Sequence, residues 1–259
     1  MNPRWRTYRV AFQTILVKEV LRFMRIWVQT VFPPVVTTVL YFLIFGTLIG
    51  DRIGPMEGFD YIDFIVPGLI LMAVITNAYA NVVSSFFSSK FHHSIEEMLV
   101  SPLPNYIILI GFVSGGLARG IVVGIAVTIV SMFFSDLEIH SYAVTISVFI
   151  LTSVLFALAG FINAVYARSF DDISIVPTFV LTPLTYLGGI FYSISMLPEF
   201  WQQVSMINPI LYMINAFRYG LLGVTDIDLT LAFAIIIGFI TVMYIFALRL
   251  LKLGIGLKP

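Results

Sequence analysis

Six runs of nearly unbroken apolar sequence leave this chain few ways to fold. They fall at about residues 26–50, 62–88, 105–134, 142–166, 173–192 and 230–250. A run of about 20 apolar residues, wound as a helix, crosses the roughly 30 Å hydrocarbon core of a bilayer, where the helix satisfies its own backbone polar groups. The 259 residues are 59% hydrophobic and 11% charged, against roughly 45–50% and about 25% in soluble domains. The fold class that follows is an all-α polytopic membrane protein forming a single transmembrane domain over 1–259. Pro33-Pro34, Pro67-Gly68, and Pro177 with Pro183 should kink the first, second and fifth runs, because proline removes a helix hydrogen bond.

The formal net charge is zero and the chain has no cysteine. The first observation gives no reason to expect nucleic acid. The second excludes disulfides, thiolate metal sites and cysteine nucleophiles. The N-terminal stretch MNPRWRTYRVAFQTILVKEV lacks a signal peptide's apolar core and cleavage site, so it is expected to be retained. Over 4–25, Arg4, Arg6, Arg9, Lys18, Arg22 and Arg25 surround Trp5, Tyr8, Phe12, Ile15 and Leu16 at helical spacing. That pattern predicts an amphipathic helix in the membrane interface.

Alternating loops sort the remaining charge. The leader cations, Lys90, Arg168, Arg249, Lys252 and Lys258 fall on one side. Arg52 and Arg218 fall on the other, with the acids Asp51, Glu57, Asp60, Asp63, Asp136, Glu138, Glu199, Asp226 and Asp228. The Lys/Arg bias predicts that both termini are cytoplasmic. Residues 198–223 then lie outside as two short helices, with Pro198 and Pro209 at first-turn positions and Asn208 as an N-cap. They either cap the outer mouth and dip into it or rest at the interface.

The most chemically loaded stretch is FHHSIEEMLVSPLP, residues 91–104. His92 and Glu96, and His93 and Glu97, are four apart, as in a metal or acid/base site. The order His-His-x-x-Glu-Glu does not match the His-Glu-x-x-His helix of zinc proteases, and His140 falls across the bilayer. No metal site and no catalytic residue is expected. The stretch reads instead as a short capped helix over 91–101, with Ser94 and Glu97 forming a capping box and Met98 and Leu99 an apolar side.

Inside the spans, Asn77, Asn81, Ser84, Ser85 and Ser88 form one polar stripe, and Thr178, Thr182 and Thr185 with Tyr186 another. Polar groups facing lipid would be unsatisfied, so both stripes should look inward, as helix–helix contacts or as a weakly polar path. Glycines at 111, 115, 116, 120 and 124 allow close helix approach, and Arg119 among them is an intramembrane cation in need of a partner or water. No span centre contains Asp or Glu, and no phosphate-binding loop is present. If the chain pumps, its energy source lies on another polypeptide. A stand-alone carrier driven by an ion gradient and an intramembrane hydrolase are the competing readings.

The stretches IEEMLVSPLP and TPLTYLGGIFYSISMLPEFWQQVSMINPILYMINAFRYGLLG look like the two signature regions of type-two ABC exporter permeases. RFMRIWVQT, FIVPGLI, VITNAYANV and FDDISIVPTFVLTPLTYLGG extend the resemblance over the whole chain. It implies a bacterial inner-membrane permease subunit working as a homodimer with two separately encoded ATPase subunits, and exporting an amphiphilic or lipid-linked substrate. ATP and magnesium would bind on the partner, leaving no cofactor on this chain. By position, Arg22, Ser94, Ile95, Glu96, Glu97, Met98 and Leu99 would meet the ATPase. Tyr41, Phe45, Asn77, Asn81, Thr178, Thr182 and Tyr186 would line the path, and Pro198, Pro209 and Arg218 would belong to the outer gate.

Overall fold

The computed structural model describes residues 3–256; Lys258 and the side chain of Asp51 lie outside the described residues. Twelve α-helices follow one another, with no strand among the described residues. They are α1 Pro3–Arg25, α2 Trp27–Tyr41, α3 Gly50–Ile53, α4 Tyr61–Phe91, α5 Ser94–Val100, α6 Asn105–Ser131, α7 Tyr142–Tyr166, α8 Asp172–Val176, α9 Thr182–Tyr186, α10 Glu199–Met206, α11 Pro209–Leu222 and α12 Leu229–Leu253. Among the described residues, five helical stretches are long and apolar enough to cross a membrane: Trp27–Gly46, Tyr61–Phe91, Asn105–Ser131, Tyr142–Tyr166 and Leu229–Leu253.

The run expected as the fifth span, 173–192, behaves differently. It is α8, a π-helical turn Pro177–Leu181 and α9, three segments of five residues each, and the helix stops at Tyr186. Together they rise about 22 Å at 1.5 Å per residue, short of the hydrocarbon thickness. Proline explains the break. Pro183 has no N–H for the carbonyl one turn back, and the ladder widens around it. Thr182 Oγ1 donates to Pro177 O at 2.9 Å, a second bond to the carbonyl that accepts from the Thr182 N–H across the widened turn. Gly189 at φ 79° then turns the chain, in a region that disfavours side chains.

Helix α4 is the axis of the bundle and is mostly buried, packed between α6 and α7. Small residues set the spacing. A Cβ on Gly116 would lie 2.9 Å from Ala78 O and 2.6 Å from Val82, and one on Gly160 would lie 2.5 Å from Tyr79 O. Lys90, near the end of α4, donates to the carbonyls of Val165 and Ala167 at 2.7 Å each. It thereby caps the C-terminus of α7, where unpaired carbonyls favour a cation.

Helix α1 was expected to lie in the interface with Ile15 on its apolar face. Trp5 is exposed, as an interface residue would be, but the C-terminal half of α1 packs on α6. Its buried stripe is Ile15, Glu19 and Phe23, and Ile15 and Glu19 rest on Gly111 and Gly115 of α6. The two outer helices also part ways. α10 is largely exposed, whereas α11 is buried along most of its length against α4, α7 and α12. Asn208 caps α11 as expected, its Oδ1 accepting from Ile210 N at 3.0 Å, with Pro209 in the first turn.

Candidate functional site

A groove runs along α4 between α2 on one side and the segment 172–186 on the other. Its larger part has a volume of about 320 Å³ and is walled by Thr30, Pro33, Tyr41, Met72, Asn77 and Arg119, among others. Its smaller part, about 220 Å³, is walled by Tyr79, Pro177, Thr178, Leu181, Thr182 and Thr185. Met72, Thr76 and Ala80 belong to both parts. Pro33 and Pro34 face this space from the middle of α2. No carboxylate lines either part. The groove is therefore apolar and hydroxyl-bearing, with one cation.

An aromatic cluster stands at one end. Tyr41 and Tyr186 share a hydroxyl–hydroxyl hydrogen bond of 3.0 Å across 145 residues of sequence. Phe191 stacks on Phe45 with ring centres 4.8 Å apart and lies 5.5 Å from Tyr41 and 6.0 Å from Tyr186. Tyr41, Phe45 and Tyr186, expected on a path, thus meet in one place. Phe191, which sequence reasoning did not single out, is the ring they share. Tyr186→Phe is expected to cost about 0.5–1.5 kcal/mol for the lost hydrogen bond. The same change should speed maleimide labelling of a Thr38→Cys variant in this otherwise cysteine-free chain. An unchanged labelling rate would show that the hydroxyl pair does not hold this end shut.

Of the two asparagines expected on the path, Asn77 lines the larger part of the groove, whereas Asn81 lines neither part. Asn77 Nδ2 donates to Ala73 O at 3.0 Å, which turns its Oδ1 toward Arg119. That oxygen accepts from Arg119 Nη2 at 3.0 Å and Nε at 3.3 Å. The cation, which costs at least about 2.5–3.5 kcal/mol at mid-bilayer, is thus met by a neutral amide. Asp172 is not that partner; it accepts from the backbone N–H groups of Arg168 and Ser169 at 2.8 and 3.1 Å.

Asn81 is fully buried and belongs to a second network. Arg22 Nη2 donates to Asn81 O and Oδ1, both at 2.8 Å, and to Glu19 Oε2 at 3.3 Å. Ser85 Oγ donates to Glu19 Oε1 at 2.5 Å. Arg22, expected at an ATPase contact, therefore faces the bundle and ties α1 to α4. Glu19 was missed altogether, although it falls four residues from both Ile15 and Phe23 on the same stripe.

Helix α5 starts one residue earlier than the capping-box pattern suggests. His93 is its N-cap, with φ 58°. His93 Nδ1 pairs with Glu96 Oε1 at 2.7 Å, and Ser94 Oγ donates backwards to Ser89 O at 3.1 Å. The four-apart His–Glu pairs are replaced by one three-apart pair, because the helix begins only after His93. Ile95 is buried and Met98 and Leu99 pack on the core, so the apolar side of α5 is occupied by its own bundle. Glu97 and Val100 point outward, and Glu96 is half exposed. Ser101, extended before Pro102, ends the helix. Among the described residues no group of three or more histidine, aspartate or glutamate side chains could hold a metal ion.

At the other end, Arg218 of α11 is fully buried. Its guanidinium carbon lies 3.8 Å from the centre of the Phe64 ring, and Nη2 donates to Gly189 O at 2.6 Å. It stands near Asp226, which accepts from Ser193 Oγ at 2.9 Å, and near Glu57. Burial first, then the hydrogen bond to Asp226, holds the Glu57 carboxyl above its ordinary range. Pro198 precedes the exposed α10. Arg218 thus fastens α11 to α4 and to the turn after α9.

The chain is thus a bundle of apolar helices with a groove along its central helix and a short helix, α5, packed at one end. The family model described as ABC-2 type transporter matches residues 10–222. The chain belongs to the ABC-2 type transporter family. It is 57% identical over 251 residues to the inner membrane transport permease YadH of Escherichia coli (strain K12), covering 97% of this chain and 98% of that one. It is 23% identical over 215 residues to nodulation protein J of Rhizobium leguminosarum bv. viciae, covering 83% of each. As an ABC-2 family member, the chain is a membrane transport subunit, and the resemblance read from its signature stretches stands.

Proposed function

We propose that this ABC-2 family chain is the permease half of an ATP-driven exporter in the bacterial inner membrane. It works as a homodimer with two separate ATPase subunits and moves an amphiphilic substrate along the groove beside α4. The observation that carries this reading is the groove itself. It is bounded by α2, α4 and the segment 172–186, ends at the Tyr41–Tyr186–Phe191 cluster, and has an exposed rim that includes Thr178, Phe179, Thr182 and Tyr186. A second copy facing that rim would complete the wall. Segment 172–186 serves as a sixth, shortened crossing, with both termini and α5 on the cytoplasmic side.

Docking of the ATPase is assigned to the outward face of α5. Glu96, Glu97 and Val100 make the contact, while Ile95, Met98 and Leu99 transmit its movement to α4, against which α5 packs. Ser94 anchors the start of the helix and Arg22 carries the same movement into α1. Closure of the ATPases on ATP would press α5 and shift the packing around α4. The expected result of Glu96→Ala with Glu97→Ala follows from the modest worth of exposed charge contacts, about 0.2–1 kcal/mol each. Affinity for the ATPase should fall about three- to tenfold, with permease-dependent ATP hydrolysis reduced and membrane insertion intact. Unchanged affinity and hydrolysis would remove α5 from the contact.

A further inference from the structure

We propose that Arg119, held by Asn77, is the head-group receptor of the groove and selects amphiphiles carrying one anionic group, a phosphate or a carboxylate. The inference rests on the reading of the groove as the substrate path and adds the chemistry of what enters it.

Three observations carry it. First, the guanidinium is held by a neutral partner. Nε and Nη2 both point at Asn77 Oδ1, which leaves Nη1 without a protein hydrogen bond among the described residues. No carboxylate lies within ion-pair distance of Arg119 among the described residues. The nearby acid, Glu19, is taken by Arg22 and Ser85. Second, the cation opens onto a cavity of about 320 Å³ that has no acidic lining residue, where Leu69, Met72, Ala73 and Pro33 offer an apolar wall to a chain. A guanidinium presents its donors in a planar fork that suits a phosphate or carboxylate. A small number of placed polar groups in an apolar wall is how such sites fix a ligand's orientation.

Third, the position of Arg119 is built. One turn earlier, Gly115 sits against Glu19 and the Asn81 amide, and Gly116 and Gly120 are pressed against Ala78 of α4 and against Ala157 and Ser153 of α7. These contacts fix the rotation of α6 and leave Arg119 opposite Asn77. Arg22, which belongs to the neighbouring network, pairs with Glu19, so that carboxylate is not left over for Arg119. An anion at Arg119 would supply the counter-charge that the protein does not.

The test uses the full-length permease in phosphatidylcholine nanodiscs, without ATPase. The probes are fluorescently labelled lysophosphatidic acid and a monoacylglycerol with the same chain and label. Wild type should bind the anionic probe about tenfold more tightly, the worth of one charge-assisted hydrogen-bond pair. Arg119→Gln should reduce the preference to about twofold or less, whereas Arg119→Lys should keep most of it. Asn77→Asp is the second variant, because it keeps the cation and gives it an internal carboxylate. It too should abolish the preference, even if Arg119→Gln fails to fold.

Equal binding of both probes by wild type, or an undiminished preference in Asn77→Asp, would overturn the receptor while leaving the groove as a path. Failure of wild type to bind either probe would overturn the path reading as well. Displacement of the probe by glycerol phosphate as effectively as by unlabelled lysophosphatidic acid would show a site for soluble anions and overturn the amphiphile assignment. None of these readouts depends on coupling to the ATPase, so they stand or fall apart from the α5 experiment.

Discussion

Replacing Glu19 by alanine is expected to lower the unfolding free energy by about 3 kcal/mol and to free the N-terminal helix from the bundle. Glu19 is fully buried between α1, α4 and α6, and both its oxygens are used, by Ser85 and by Arg22. Removing one partner of a buried ion pair costs about 3–5 kcal/mol, mostly from the charge left behind. The lower end applies here because Arg22 keeps Asn81 O and Oδ1 at 2.8 Å and is 30% exposed. Glu19→Gln keeps an acceptor for Arg22 or Ser85 and should cost about 1 kcal/mol, the worth of a typical hydrogen bond. Denaturant unfolding in micelles would measure the loss, and limited proteolysis after the basic residues of α1 would report its release. Wild-type stability in Glu19→Ala would mean that α1 is held by Ile15 and Phe23 alone. A double-mutant cycle with Arg22→Ala isolates the pair, provided neither single change creates a new contact.

That network also marks how far the sequence could be read. The long spans were legible because lipid imposes a simple rule, one apolar helix per bilayer thickness, and α4, α6, α7 and α12 obey it. The segment 172–186 was legible as apolar but not as short. Hydropathy does not record that Pro177 and Pro183 open a π turn or that Gly189 reverses the chain.

Polar residues were harder to place. Asn77 and Asn81 share a stripe, yet one meets Arg119 and the other Arg22, a division set by which helix packs on each level of α4. Arg218 counted as an outer cation in the sequence. Its burial depends on Phe64 and Gly189, both of which lie far earlier in the sequence, Gly189 by 29 residues. Glu19 could have been found. An acid at the centre of the stripe Ile15, Glu19, Phe23, in a helix followed by a glycine-rich span, needs a buried partner. The α5 region shows the opposite case, since its location and length were legible but its faces were not. Ile95, Met98 and Leu99 look available to a partner until α4 is seen to cover them.

A close approach of one helix to the backbone of another yields the second large effect. Gly160→Ala is expected to destabilise the chain by about 2–3 kcal/mol and to abolish transport by the assembled complex. Its Cβ would lie 2.5 Å from Tyr79 O and 3.3 Å from the carbonyl carbon and Cα of the same residue. These are backbone atoms in the middle of α4, so no side chain can rotate away, and α7 must move outward or the helix must bend. Overpacking of a well-packed core costs about 1–3 kcal/mol, and the upper end applies because the obstructing atoms belong to a helix ladder. Alanine's better helix propensity, worth about 1 kcal/mol over glycine, opposes the loss without reversing it. Gly238 in α12 is the internal control, since nothing lies within 4 Å of a Cβ there. Gly238→Ala should therefore be neutral or stabilising by up to about 1 kcal/mol. Displacing α7 also displaces α4, which carries Met72, Thr76 and Ala80 into both parts of the groove. Transport should thus fail even where Gly160→Ala still folds at low temperature. Equal unfolding free energies for the two alanine variants would show that α4 and α7 are not in backbone contact at Gly160, and the groove would then lack the rigid wall on which the proposed path depends.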